Sequence, residues 1–238
     1  MKLTPRYSDE RGHVDHGWLT SAHSFSFGDY YDERHMGFGK LRVLNDDHIE
    51  GGAGFPAHPH RDMEIFTIPL LGRLRHMDST GTESSIGRGD VQIMSAGTGV
   101  VHSEVNDSPD DPLELLQIWI TPNKERLPPR YEERHFPYYE ERNRLHLIIS
   151  PTGQAGSLTI FQNAYVSIGV YDTESLVTYD LFDKENGLYL FVIEGEATVG
   201  GVHLKKRDAL TMLDVPSSTI EVKERTTLLL IEVSVSEA

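Results

Sequence analysis

No cysteine occurs anywhere in the 238 residues. That absence excludes disulfides, iron–sulfur clusters, thiolate zinc sites and cysteine nucleophiles, so any metal must be held by nitrogen and oxygen. Long apolar runs are missing as well; nothing approaches the roughly 18 residues of a membrane-spanning helix. The opening MKLTPRYSDERG has one early lysine and no apolar stretch behind it. We therefore expect no export signal and a cytoplasmic location. Basic residues are scarce, with 22 Lys plus Arg against 37 Asp plus Glu and a net charge of −15. Such a surface repels phosphate backbones and anionic lipid, so neither nucleic acid nor membrane is expected as a direct partner. The acidic excess is read as solubilising.

Twelve histidines and many short turn signals are what the chain does contain. Turns are marked by Asp46-Asp47, Gly51-Gly52, Gly72, Ser79-Thr80-Gly81, Gly87-Arg88-Gly89 and Gly97-Thr98-Gly99. Between turns lie short runs rich in branched and aromatic residues, among them Met63 to Leu71, Val91 to Met94, Leu115 to Ile120 and Ser157 to Val170. This spacing, with little helical periodicity, predicts an all-β sandwich or barrel with few short helices. Gly200-Gly201 between two short apolar runs predicts a two-residue hairpin. From Thr121 to Glu141 the texture changes to charged residues with Pro122, Pro128, Pro129 and Pro137, which predicts an extended connection without strands.

The second half reads as a decayed copy of the first. Leu71-Gly72-Arg73-Leu74 is echoed by Glu194-Gly195-Glu196-Ala197, and Gly89 to Met94 by Arg207 to Met212, both offset by about 120 residues. A tandem duplication of one β-barrel follows. Its divisions are an N-terminal unit over 1–125, a Pro-rich linker over 126–140 and a C-terminal unit over 141–238.

His58-Pro59-His60 sets two imidazoles at i and i+2, on one face of a strand. Pro59 cannot donate to a ladder, so the segment belongs at a strand start or a sheet edge. Alone, the triplet is more often a solvated or core pair than a site. His102-Ser103-Glu104 repeats the i, i+2 spacing just after a flexible turn. Two such pairs on different strands of one barrel can converge as three imidazoles and a carboxylate. That set suits iron, manganese, nickel, zinc or cupric copper, and leaves an octahedral ion two open positions.

Gly52-x5-His58-x-His60-x3-Glu64 resembles the first half of the cupin signature, and Gly89-x5-Ser95-x-Gly97-x4-His102-x3-Asn106 the second half. The segments His58 to Glu64, Gly89 to Glu104 (GDVQIMSAGTGVVHSE) and residues 16 to 47 resemble one branch in particular, the pirin family of bicupins. The resemblance is dense over the first half and only in outline over the second. It implies tandem cupin barrels of the jelly-roll type. One divalent transition metal would be held by His58, His60, His102 and Glu104, with Fe(II) favoured and Ni, Mn, Zn, Co or Cu(II) as alternatives.

The resemblance further implies a dioxygenase that opens the heterocycle of flavonols such as quercetin, with a small aromatic substrate and O2 as its partners. The substrate's hydroxyl would lose its proton to Glu104 before dioxygen adds. Two other functions are implied: metal- or redox-dependent regulation of a transcription factor or metabolic enzyme, through a protein partner, by other members of the family, and isomerisation by the wider cupin class. In this branch Glu64 is not a ligand, and it is read either as an acceptor for a ligand imidazole or as a solvated carboxylate.

The repeat offset places the counterparts of His102 and Glu104 near Ile220 and Val222, and those of His58 and His60 near Leu181 and Asp183. The second unit is therefore expected to be metal-free and to fold without metal. His13, His16, His23 and His35 are read as solvated or hydrogen-bonding, and Phe25, Phe27, Tyr30, Tyr31 and Phe38 as core or pocket lining. Asp46 and Asp47 read as a turn, and because the resemblance carries this segment towards the site their role stays open. Gly37 and Gly39 have no Lys-Ser/Thr pair after them and are no phosphate loop.

Overall fold

The computed structural model describes residues 2–235. Regular structure is almost entirely β, with two single-turn 3-10 helices at Ser8–Glu10 and Gln154–Gly156. Among the described residues no helix is long and apolar enough to cross a membrane. The strands are β1 (Lys2–Arg6), β2 (Gly12–Asp15), β3 (Leu19–His23), β4 (Leu41–Ile49), β5 (Gly54–His60), β6 (Glu64–Leu71), β7 (Arg73–Asp78), β8 (Glu83–Gly87), β9 (Asp90–Ser95), β10 (Val100–Asn106), β11 (Leu113–Ile120) and β12 (Arg130–His135). The second half supplies β13 (Leu145–Ser150), β14 (Leu158–Thr159), β15 (Ala164–Tyr171), β16 (Ser175–Asp180), β17 (Asn186–Glu194), β18 (Glu196–Val199), β19 (Val202–Lys205), β20 (Ala209–Leu213), β21 (Ser217–Val222) and β22 (Thr226–Ser234).

Each half is a sandwich of one seven-stranded and one four-stranded sheet, the two cupin-type domains expected. In the first half the orders are β12-β9-β6-β11-β4-β3-β2 and β5-β10-β7-β8; in the second, β1-β20-β17-β22-β15-β13-β14 and β16-β21-β18-β19. Strand β1 pairs with β20 of the second half, and β12, which precedes the second half, pairs with β9 of the first. The first half thus lends an edge strand to the second, and the connecting segment adds one to the first. The segment expected as a strand-free connection is corrected by β12. Polyproline geometry lies close to β geometry, so the chain leaves Pro128-Pro129 already extended and pairs at once.

Gly200 and Gly201 do form the hairpin between β18 and β19, with φ of 56° and 82° as a two-residue primed turn requires. Asp46 and Asp47, by contrast, lie within β4 rather than in a turn. Pairing with β3 on one side and β11 on the other overrides their local turn preference.

The two large sheets face each other across one apolar cluster. Phe66, Ile68, Leu116 and Ile118 from the first half meet Val166, Ile168, Phe191 and Leu229 from the second, all of them buried. Burial of each such side chain contributes roughly 1.5–3 kcal/mol. On β22 the alternate residues Leu228 and Leu230 enter the interior of the second barrel instead. Both faces of that strand are buried, hence its unbroken apolar run Leu228-Leu229-Leu230-Ile231.

The interiors of the two barrels differ in chemistry. Val177, Tyr179, Leu188, Leu190 and Ile220 fill the second. In the first half the buried residues include Asn45, Asp47, Thr67, His76, Gln92, His102, Glu104 and Gln117. Burying polar groups costs stability unless they are hydrogen-bonded, so the first interior is where a function is to be sought.

Candidate metal centre

Strand β5 is the edge of its four-stranded sheet. That position is open to a strand carrying Pro56 and Pro59, which lack N–H donors. At Gly54 an added Cβ would lie 2.4 Å from Val105 Cα, so only glycine lets β5 approach β10 this closely. His58 stands directly opposite His102 in the ladder. Their Nε2 atoms are 3.1 Å apart, and the ring centroids of His58, His60 and His102 are separated by 4.5–4.8 Å. His58 Nδ1 lies 2.7 Å from the Pro56 carbonyl, so it donates there and leaves Nε2 as the nitrogen that faces His102. Burial, then the neighbouring imidazole of His58, pushes His60 down to about 4. Burial, followed by His58, His60 and His76, pushes His102 down to about 2. Rings held neutral in a cluster are the form in which imidazole binds a metal.

Glu104 lies deeper on β10, after a register shift that sets it opposite Phe55 of β5 and His76 of β7. Gln92 donates to its Oε1 at 2.7 Å and Gln117 to its Oε2 at 2.6 Å. Burial raises this carboxyl to about 7 despite those donors. The ligand atoms of His58, His60 and His102 fall within 4.8 Å of one another, and so do those of His76, His102 and Glu104. His102 belongs to both groups. His76 and Asp78 form a further i, i+2 pair on the strand paired with His102 and Glu104, with His76 Nε2 3.2 Å from Asp78 Oδ2. The Nδ1 atoms of His76 and His102 are buried and have no partner among the described residues. Converging, neutral, partly unsatisfied imidazoles with a carboxylate alongside fit a divalent transition metal.

A cavity of about 260 Å³ opens on the β5 side. His58 and His60 form one wall; Leu19, Phe27, Phe55, Pro56 and Trp119 supply apolar surface. Phe27 meets Trp119 edge-on at 5.2 Å, and Trp119 meets His60 edge-on at 4.9 Å. Ser21, His23, Asn45, Asp47 and Gln117 complete the lining with polar groups. Apolar aromatic surface and a few polar groups thus face one space beside the imidazoles.

The structure brings His58, His60 and His102 together, while Glu104 falls in a second group with His76 and His102 rather than with all three of those imidazoles. Glu64 is neither solvated nor at a ligand imidazole. Buried at 1% exposure, it accepts from Ser95 Oγ and from the Phe161 backbone N–H, and so ties the two halves together. Of the N-terminal histidines, His13 and His16 are exposed, His35 bonds Asp32, and His23 is buried against Asn45 in the cavity wall. Phe25 and Phe38 are core and Phe27 lines the cavity, but Tyr31 is 73% exposed. Sequence reasoning missed His76 and Gln92, although His76-Met77-Asp78 shows the same i, i+2 spacing that marked the other pairs.

In the second barrel the ladder β16–β21–β18 matches β5–β10–β7. Ile220 pairs with Val177 and with Val199 at the end of β18, as His102 pairs with His58 and with Asp78 at the end of β7. Ile220 and Val222 therefore stand where expected for His102 and Glu104. The counterparts of His58 and His60 are Val177 and Tyr179, four residues before the expected Leu181 and Asp183. Loops of unequal length between the repeats break a constant offset. All four counterparts are buried apolar core.

Residues 5–120 match the Pirin family, and residues 147–233 match the quercetinase C-terminal cupin domain. A quercetin 2,3-dioxygenase of Escherichia coli (strain K12) is 41% identical over 229 residues, covering 95% of this chain and 96% of that protein. A pirin-like protein of Caulobacter vibrioides is 37% identical over 94% of this chain and 96% of its own length. Among solved structures, the bacterial pirin YhhW of Escherichia coli in complex with nickel(II) superposes with a TM-score of 0.93 at 38% identity, covering 99% of this chain and all of that one. With likeness of this depth along its whole length and the same pair of cupin-type domains, the chain belongs to the pirin family.

Proposed function

We propose that the protein is a mononuclear-metal dioxygenase that opens the heterocycle of a flavonol such as quercetin with O2. In this reading His58, His60, His102 and Glu104 hold one Fe(II) ion, and the reaction takes place in the cytoplasm. The observation that carries it is the placement of His58 and His60, the latter held neutral by burial, in the wall of an apolar, aromatic-lined cavity. The names of the relatives add support, since the Escherichia coli protein is a quercetin 2,3-dioxygenase. A bound ion with two accessible oxidation states supplies the electrophilic and one-electron chemistry that couples a closed-shell molecule to dioxygen.

The residues of the chain do the rest. Phe27, Phe55 and Trp119 clamp a planar ring system and exclude water from the reacting face. Gln92 and Gln117 hold the Glu104 carboxylate in one orientation, as the outer partners of a ligand do. The test is anaerobic loading with iron, followed by oxygen uptake with and without quercetin. His60→Ala is expected to lose metal and oxygen uptake together, while Glu104→Gln retains three imidazoles and binds metal about 10–100-fold more weakly. Absence of oxygen uptake with any flavonol or related enol would favour the regulatory function instead.

A further inference from the structure

The proton-accepting role expected of Glu104 meets an obstacle in the geometry. Both of its oxygens already receive amide N–H groups, and it is not part of the cavity wall. Another carboxyl is. Asp47 lines the cavity together with His58 and His60, and is itself 3% exposed. Its one side-chain hydrogen bond comes from Ser21 Oγ to Oδ1. No arginine, lysine or histidine pairs with it among the described residues; Arg11 and Arg207 serve Asp46 on the opposite face of β4. A buried carboxyl without a cation costs several kcal/mol, and chains keep such groups where a ligand completes them.

We propose that Asp47 is the catalytic base of this site, accepting the proton of the hydroxyl that a flat aromatic substrate brings into the cavity. The inference rests on the oxygenase reading above. In the step, the substrate O–H bond breaks, its electron pair stays on the substrate oxygen, and the proton joins the free Oδ2 of Asp47. The same proton returns to the product before release, so the enzyme ends as it began. Ser21 holds the carboxyl in place through Oδ1, and the resulting oxyanion lies beside the metal-site imidazoles. Burial pushes the Asp47 carboxyl up to about 7, which suits a group that takes and returns a proton near neutrality.

The experiment uses iron-loaded protein without oxygen, so quercetin binds but cannot react. An ionised flavonol absorbs at longer wavelength than the neutral form, and quenching of Trp119 reports binding independently. Wild type is expected to bind quercetin and shift its absorption to the ionised band. Asp47→Asn is expected to bind within about tenfold of wild type, to leave the absorption at the neutral band, and to turn over about a hundredfold more slowly once oxygen is admitted. Asp47→Ser, smaller and equally uncharged, is expected to behave alike and covers the case in which Asn disturbs the fold. An ionised band that persists in both variants overturns the proposal. So does its loss in Glu104→Gln alone, which would return the proton to Glu104. If wild type binds no flavonol, the oxygenase reading fails first; if wild type binds quercetin only in the neutral form, Asp47 alone is wrong.

Discussion

Asp46 accepts from Arg11 at 3.1 Å and is ion-paired with Arg207 at 3.2 Å on the outer face of β4, while the next residue, Asp47, points into the barrel. Their environments set opposite electrostatics on adjacent carboxyls. Desolvation raises Asp47 from its ordinary 3.8 to about 7, against the lowering effect of Ser21. A carboxyl raised in the folded state stabilises the protein below its unfolded value near 3.8 and loses that contribution as pH climbs through about 7. The gap corresponds to at most about 4 kcal/mol. Metal-free Asp47→Asn should therefore unfold at a higher temperature than metal-free wild type at pH 8, with the difference shrinking towards pH 4. Thermal melts at both pH values check this, and a difference that grows on acidification would refute the assignment of burial as the cause.

Elements repeat between the halves while their contents diverge. Strands β5 and β10 carry His58, His60, His102 and Glu104; their counterparts β16 and β21 carry Val177, Tyr179, Ile220 and Val222. The backbone places all eight side chains inside a barrel, and only residue type separates a metal centre from a packed core. Ile220 is fully buried. Replacing it with histidine would bury an imidazole with no polar partner and lose aliphatic packing, at a cost of about 3 kcal/mol or more. For a chain of this size that lowers the melting temperature by roughly 10 °C. Metal content of Ile220→His should stay at one ion per chain. A second ion would mean that the copied ladder alone suffices to make a site.

At the scale of the whole molecule, the halves share one core, β1 of the first half edges the sheet of the second, and the connecting strand β12 edges the sheet of the first. Neither half can melt without exposing the apolar face of the other, so a single cooperative transition is expected rather than an independent second barrel. Metal binding to the first half should then stabilise the whole chain, by about 4 kcal/mol when free metal exceeds its dissociation constant a thousandfold. Calorimetry against metal concentration tests this together with a stoichiometry of one ion per chain. A metal-dependent transition followed by a metal-independent one would show that the barrels unfold separately.

Periodicity and spacing in the sequence determined the all-β class, the duplication and the paired i, i+2 ligands, because strand geometry is local: alternate residues share a face whatever the strand packs against. The Gly200-Gly201 hairpin was legible for the same reason, since positive φ is a property of single residues. Tertiary structure decided what depends on partners distant in sequence. It turned Asp46-Asp47 from a turn into a strand with two unlike faces, carried Arg130–His135 across to the first sheet, and set His76 opposite Glu104. It also closed the cavity around His23, Asp47 and Trp119, which lie far apart along the chain and meet only when β3, β4 and β11 pair. Which buried carboxyl faces a ligand and which faces an amide is settled by those pairings, and no local pattern encodes them.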